Sequence, residues 1–418
     1  MRHIPLSLLA FALPVLALST QVAAQAPDGT PWTGQWEASA DNGSLTVPFH
    51  FEIVDGKQGL EGRFFNGNEP VASTGGKLDG DHLVLRYDAF DRVLDLQHQP
   101  DGSFTGTYAS EHGKGTPWKI TAHRPVAETA SSGAPRIDGL WIIPAESKKK
   151  NEHAWRFIAH QDFGKLSASI LRVGGDTGAL TGTWSDGHWN LANFSGTRAA
   201  VVTVTPGKAE SGDITLDVRL RDAHGGDVHY TAYRPETARK LGLPDVPDLA
   251  AHTSVRDPDE VFAFSFKDMD GKLVSNTDAR FHNKVVLVDV SGSWCPNCHD
   301  EAPFLEALYR KYHARGLEIV TVDFEDSDEY ANPERLRAFV KRYDPAFPVL
   351  LAGTTDQAQE KIPQAVNLDA WPTTFFIARD GRVRHVHAGF SAPATGQFHS
   401  AITKEFDSQI ETLLAQKS

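Results

Sequence analysis

A chain of 418 residues is longer than one ordinary domain of about 100–200 residues, so two or three folded units are expected. Its 54 acidic residues outnumber 41 basic ones, a net charge of −13, which argues against nucleic acid or an anionic membrane surface as partner. The only two cysteines, Cys295 and Cys298, sit too close together for their bridge to remove much entropy from the unfolded chain, so a structural staple is a poor account of them.

Residues 1–24 read as a cleavable leader: Arg2, an apolar run from Ile4 to Leu18, then the small-residue site Val22-Ala23-Ala24. The run is shorter than the roughly 20 residues of a membrane span, and no second such stretch follows. No cysteine follows the cleavage site, so no lipid anchor is indicated. The mature protein is expected to be soluble and periplasmic or otherwise exported. In that oxidising setting a closely spaced cysteine pair is expected to open and close rather than to hold the fold.

From residue 27 to 125 short alternating runs such as "VPFHFEIVDG" and "DHLVLRYDAF" are broken by Gly and Asn/Asp turns, the pattern of β-strands. Residues 134–235 repeat the plan. "TGQWEA" around Trp36 answers "DGLWII" around Trp141, "LEGRF" answers "LTGTW", and "ITAHRP" answers "YTAYRP". The expected architecture is two tandem all-β repeats of sandwich or barrel type, joined by the small, polar "VAETASSGAP" at 126–135. The Gly-x-Trp start resembles that of lipocalin-like barrels, which would imply a ligand cavity; a scaffold or docking surface is the plainer reading. "ESKKK" (146–150) reads as a solvated loop.

A linker at 236–255 leads to a different pattern over 256–418. "NKVVLVDVSGSW" is a buried-strand run that ends at Cys295, after which Leu305, Leu308, Tyr309 and Tyr312 fall on one helical face. "LEIVTVDF" and "FPVLLAG" are further strands, and "NPERLRAFVKRY" is a helix expected to have Asn332 as N-cap and Pro333 at its first position. "TTFFIARDGRVRHVHAG" is a hairpin turned at Asp380-Gly381, and a last helix carries Phe398, Ile402, Phe406, Ile410 and Leu413. This alternation is an α/β sheet with mixed strand directions.

A strand that hands Cys295 to the first turn of a helix places its sulfur at the positive end of the helix dipole, which favours the thiolate. Cys295 is therefore the expected nucleophile, with Cys298 one turn along as the resolving thiol. The segments "NKVVLVDVSGSWCPNCHDEAPFLEALYRKY" and "WPTTFFIARDGRVRHVHAGF" resemble the TlpA/ResA-type thiol-disulfide oxidoreductases of the thioredoxin superfamily, over about 256–418 but not over the β repeats. The resemblance implies a thioredoxin-like fold and a redox disulfide between Cys295 and Cys298. It also implies a cis-proline at Pro372 facing that pair, and a proton-handling carboxylate at Glu301 in the Cys-x-x-Cys-x-x-Glu-x-Pro pattern. Trp294, Trp371 and Thr373 are the expected substrate contacts; Trp371 is bulkier than the family's residue before the cis-proline. The implied partners are disulfide-containing proteins and a membrane thiol carrier as electron donor, with no cofactor.

Three other chemistries fit parts of the pattern. Cys-Pro-Asn-Cys-His has the spacing of a covalent haem site, with Met269 the one methionine left as a distal ligand after the leader. Cys295, Cys298 and His299 could supply up to three ligands to a metal such as copper, and His385 and His387 share a strand face that reads as solvent-facing. A β-domain binding protein with a passenger thioredoxin fold is the non-catalytic alternative, and the sequence around a peroxidatic cysteine is absent. Asp300 and Glu301 beside the dithiol lean towards a reductase, while His299 and the helix dipole push the other way.

Overall fold

The computed structural model describes residues 31–57, 59–126, 133–223, 225–248 and 251–416. The leader and the centre of the 126–135 linker lie outside them. Among the described residues no helix is long and apolar enough to cross a membrane.

Alternation of side chains on the early strands does what period-2 patterning demands. Thr46–Gly56 buries Val47, Phe49, Phe51 and Ile53 and turns the residues between them outward. Its sheet is an antiparallel meander of nine strands in which the first, Gly34–Asp41, also pairs with the last, Trp118–His123. The remaining seam, between Glu69–Ala72 and Gly75–Asp79, makes this a half-barrel; Ser73 N donates to Gly62 O at 2.8 Å, one rung beyond the pairing of Glu69–Ala72 with Gly59–Asn66. The second sheet goes further. Gly139–Pro144 pairs with Ala154–Asp162 and with Asp227–Tyr233, and Ala154–Asp162 also pairs with Lys165–Arg172, which closes a ring of eight strands.

The Gly-x-Trp starts share one device. Trp36 Nε1 donates to Trp32 O and Trp141 Nε1 to Ile137 O, at 2.9 and 2.7 Å. The arginines of "AHRP" and "AYRP" lie flat on those rings, Arg124 at 3.8 Å from Trp36 and Arg234 at 3.7 Å from Trp141. A Cβ on Gly34 would come within 2.7 Å of Arg124 Nη1, and Gly34 has φ +114°, so this position needs glycine. Trp36, Phe51, Phe64 and Phe104 fill the first interior, and Trp141, Phe157, Ile170 and Trp189 the second. Side chains occupy the space a lipocalin-like ligand would take.

The third unit is a seven-stranded mixed sheet. Its centre is Val285–Ser291 beside Leu317–Glu325 in parallel register, flanked by the parallel Val349–Thr354 and the antiparallel Thr373–Ile377 and Val383–Ala388. Both central strands are buried along their whole length, as a sheet covered on both faces requires. The dithiol helix Pro296–Tyr312 and the terminal helix Gln397–Ala415 pack together on one face through Leu305, Tyr312, Phe406 and Ile410. The helix expected from Asn332 begins one residue later than read, at Glu334 with Pro333 as its cap, because Asn332 closes the preceding short helix Ser327–Ala331.

All three units meet at the dithiol helix. Phe90 of the half-barrel packs edge-on against His299 at 4.6 Å, and Arg342 Nη1 donates to Ala72 O at 2.8 Å. From the closed barrel, Arg198 Nη2 donates to Asn297 Oδ1 at 2.6 Å and to Asp300 Oδ2 at 2.7 Å.

Candidate active site at the dithiol

Cys295 is the N-cap of its helix (φ −88°, ψ 116°), Pro296 takes the first helical position, and the Cys298 N–H points at Cys295 Sγ from 3.4 Å. Capping groups accept such orphan N–H donors, and here the acceptor is sulfur. On its other side the Cys295 thiol donates to Trp371 O at 3.6 Å, and the Trp371–Pro372 peptide is cis. Both cysteines are free thiols, 3 % and 1 % exposed. Trp294 and Trp371 meet edge to face at 5.6 Å, and Trp294 Nε1 donates to Phe324 O at 2.9 Å. Thr373, expected among the substrate contacts, is fully buried and donates its hydroxyl to Ala370 O at 2.8 Å, so it shapes the cis-proline turn instead.

Below the cysteines lies a group of carboxyls that no burial rule favours unless protons are shared. Glu301 Oε1 accepts from Thr374 Oγ1 at 3.3 Å, and Asp289 Oδ2 from Thr321 Oγ1 at 3.1 Å, while Glu301 Oε2 and Asp289 Oδ1 are buried with no hydrogen-bond partner. Burial, and then the charge of Asp289, pushes Glu301 well above the carboxylate range; burial raises Asp289 to about 7. The two acids act on each other's titration, so they take up and release protons as a pair. Burial, and then Cys295, pushes the Cys298 thiol well up, with Asp289 adding to it. Asp289 escaped the sequence reading because it looks like an ordinary residue of a buried strand; its signal was a charge inside an otherwise apolar run.

His299 is turned away from the dithiol chemistry. Its Nε2 donates to Ser293 O at 2.8 Å and its Nδ1 accepts from Tyr343 O–H at 2.9 Å, so both nitrogens a metal or haem iron would use are taken. Burial, helped by the charges of Arg342, Arg198 and Arg335, lowers its pKa to about 3. The unfolded histidine titrates near 6.5, so below that pH the unfolded state binds the extra proton, and folding stability falls by up to about 1.4 kcal/mol per pH unit. Relative to a His299→Gln variant, wild type is expected to lose about 2 kcal/mol between pH 7 and pH 5 in urea unfolding. A gap between the two that stays constant with pH would overturn this.

The strand preceding the helix is held by a buried ion pair. Arg335 Nη2 donates to Glu325 Oε2 at 2.7 Å and its Nε to Ser293 Oγ at 2.9 Å, while Glu325 Oε1 accepts from Ser293 N at 2.9 Å. His385 and His387 are not solvent-facing as the sequence suggested. They reach Glu405 Oε1 of the terminal helix at 2.6 and 2.9 Å, the nearest thing to a three-ligand cluster among the described residues. Burial would raise Glu405, but the hydrogen bonds from the two imidazoles outweigh it and lower its pKa to about 2.

The "ESKKK" loop is not simply solvated either. Lys149 is half-buried, donates to Asp369 O at 2.7 Å, and lines with Trp155 and Arg172 a cleft of about 330 Å³ that reaches Cys295. Another cavity, of about 310 Å³, lies at the opposite end of the sheet near Phe281 and Arg379 and holds neither cysteine.

A strand delivering two thiols to a helix N-terminus opposite a cis-proline defines a thioredoxin-like redox fold. The Redoxin family model matches residues 256–401. The thiol-disulfide oxidoreductase ResA of Bacillus thuringiensis subsp. konkukian is 34 % identical over 120 residues, 29 % of this chain and 62 % of ResA. The thioredoxin-like protein YneN of Bacillus subtilis is 31 % identical over 126 residues, 30 % of this chain and 68 % of YneN. A solved thioredoxin family thiol:disulfide interchange protein of Chlorobium tepidum aligns at 21 % identity over 39 % of this chain and all of its own, with a TM-score of 0.30, too low to add to the sequence match. The chain belongs to the ResA- and YneN-like thioredoxin-fold family, by way of its Redoxin domain. It spans 62 % of the length of the ResA relatives it matches.

Proposed function

We propose that the protein is an exported thiol-disulfide oxidoreductase that reduces substrate disulfides with its Cys295/Cys298 pair. The observation that carries this is Cys295 Sγ at the helix N-cap, taking the Cys298 N–H on one side and facing Trp371 O and the cis-proline on the other. In this reading the Cys295 thiolate attacks, and the mixed disulfide it forms removes its negative charge. That charge is among the causes that hold the Cys298 proton on, so the first step eases the second. The Asp289/Glu301 pair then takes the Cys298 proton, and Cys298 attacks Cys295 to release the product. Pro372 keeps the opposing backbone close, and Trp294 and Trp371 flank the approach.

The direction follows from the same charges. Buried acids that disfavour negative charge on the dithiol stabilise its disulfide form relative to thiolate, which makes the dithiol a willing electron donor. Protein disulfides are the substrates the family resemblance implies, and a membrane thiol carrier the source of electrons. The units at 27–125 and 134–235 are read as duplicated β domains that frame the site, joined through 236–255 to the redox domain at 256–418. Equilibration against glutathione buffers, read by thiol alkylation, tests the reading: a reductant has a midpoint well below that of the glutathione pool. A cysteine pair that never interconverts would sink it.

A further inference from the structure

The closed barrel does more than frame the dithiol. Its turn at Gly174–Gly175 lies against the cis-proline loop: Asn297 Nδ2 donates to Gly174 O at 2.9 Å, and a Cβ on Gly389 would meet Gly174 N and C at 2.8 Å. A Cβ on Gly174 would itself stand 3.8 Å from Trp371 N. The edge along which an extended peptide would lie beside Pro372 is thus filled by the chain's own backbone. What remains open to Cys295 is the cleft of about 330 Å³, near the lower end of small-ligand pockets, which begin at about 300 Å³.

The charges in its walls are unequal. Glu152 is fully used inside the barrel, with Oε1 accepting from Val173 N at 2.6 Å and Oε2 from Ser147 Oγ. Lys149 gives one N–H to Asp369 O and has two more. Arg172 rests 5.2 Å from the Trp155 ring and makes no ion pair among the described residues. Asp176, the other acid lining the cleft, turns its carboxylate to backbone, Oδ1 accepting from Gly178 N and Oδ2 from Ala392 N, both at 2.6 Å, so Lys149 and Arg172 keep hydrogen-bonding capacity for an anion beside Cys295.

We propose that this cleft takes a low-molecular-weight disulfide carrying carboxylates, held by Arg172 and Lys149 with its sulfurs at Cys295. The inference rests on the dithiol reading above. The Cys295 thiolate attacks one substrate sulfur and expels the other half as a thiolate; Cys298, deprotonated, then attacks Cys295 and expels the second half. Two electrons pass from the dithiol to the substrate, the Cys295–Cys298 disulfide forms, and an external dithiol, itself oxidised to a disulfide, must reduce it before another turnover.

The test is a single turnover of the pre-reduced full-length protein, mixed with anionic oxidised glutathione, cationic cystamine, neutral 2-hydroxyethyl disulfide or insulin, then quenched and alkylated. Glutathione disulfide is expected to react about tenfold or more faster than cystamine at low salt, with the bias shrinking as salt is added. Arg172→Gln should bring the ratio towards one and Arg172→Glu should invert it. A ratio indifferent to salt and to Arg172, or insulin reacting faster than glutathione disulfide, overturns the proposal. No reaction with any of the four disulfides overturns the dithiol reading, and this proposal with it.

Discussion

Cys298→Ser is expected to stop the protein halfway, with Cys295 locked to its substrate and turnover reduced on the order of 10³-fold or more. The hydroxyl that replaces the thiol keeps the helix and its cap, since the Cys298 backbone N–H, not its side chain, points at Cys295 Sγ. It cannot attack a disulfide. Intact mass after exposure to a mixture of disulfides reads the outcome directly, because a small adduct and a cross-linked protein are separated at once. An untouched Cys295 in this variant, under conditions where wild type reacts, would remove the case for it as the nucleophile.

The second large effect falls on Glu301. With Gln in its place the proton acceptor proposed for Cys298 is removed, and resolution of the mixed disulfide is expected to slow by about 10²-fold, the lower end of general acid–base contributions. Asp289→Asn should cost a similar factor. The double variant should be little slower than either single one, because both remove the same proton site; factors that multiply would mean two independent roles. Stability should move the other way. Glu301 holds its proton to a higher pH folded than unfolded, so the folded state loses ground as pH rises above about 4.5. Glu301→Gln has no such loss and is expected to be more stable than wild type at pH 8 in urea unfolding, with a smaller advantage at pH 4.5. A variant less stable at both would show the carboxyl to be structural.

On the proposed mechanism, the buried pair Asp289 and Glu301 is a place where the fold carries acids for the sake of chemistry. The local signals around it were legible. Cys295 follows an apolar run and precedes a 3.6-period face, so a strand delivering a thiol to a helix start could be read directly. Pro296 fits the first helical position for the same local reason. Trp36 and Trp141 announced the two β units because an indole over a tight glycine turn recurs with its covering arginine.

Other features depend on residues far apart along the chain. Arg198 reaches Asp300 across 102 positions and Lys149 reaches Asp369 across 220, and neither leaves a periodic trace nearby. "ESKKK" looked solvated because three adjacent lysines usually are; packing of the barrel on the redox domain is what folds the middle one in. Asp289 looked like any strand residue until Glu301 was brought opposite it. By itself the sequence determined the cysteine pair, the strand before it and the helix after it, and the all-β character of the N-terminal region, since each is set by neighbours within a turn or a strand. Only the tertiary structure decided that Cys295 sits under the closed barrel, above two buried acids and beside two cations. Those arrangements are products of close packing between surfaces, and surface complementarity is written in no single stretch of chain.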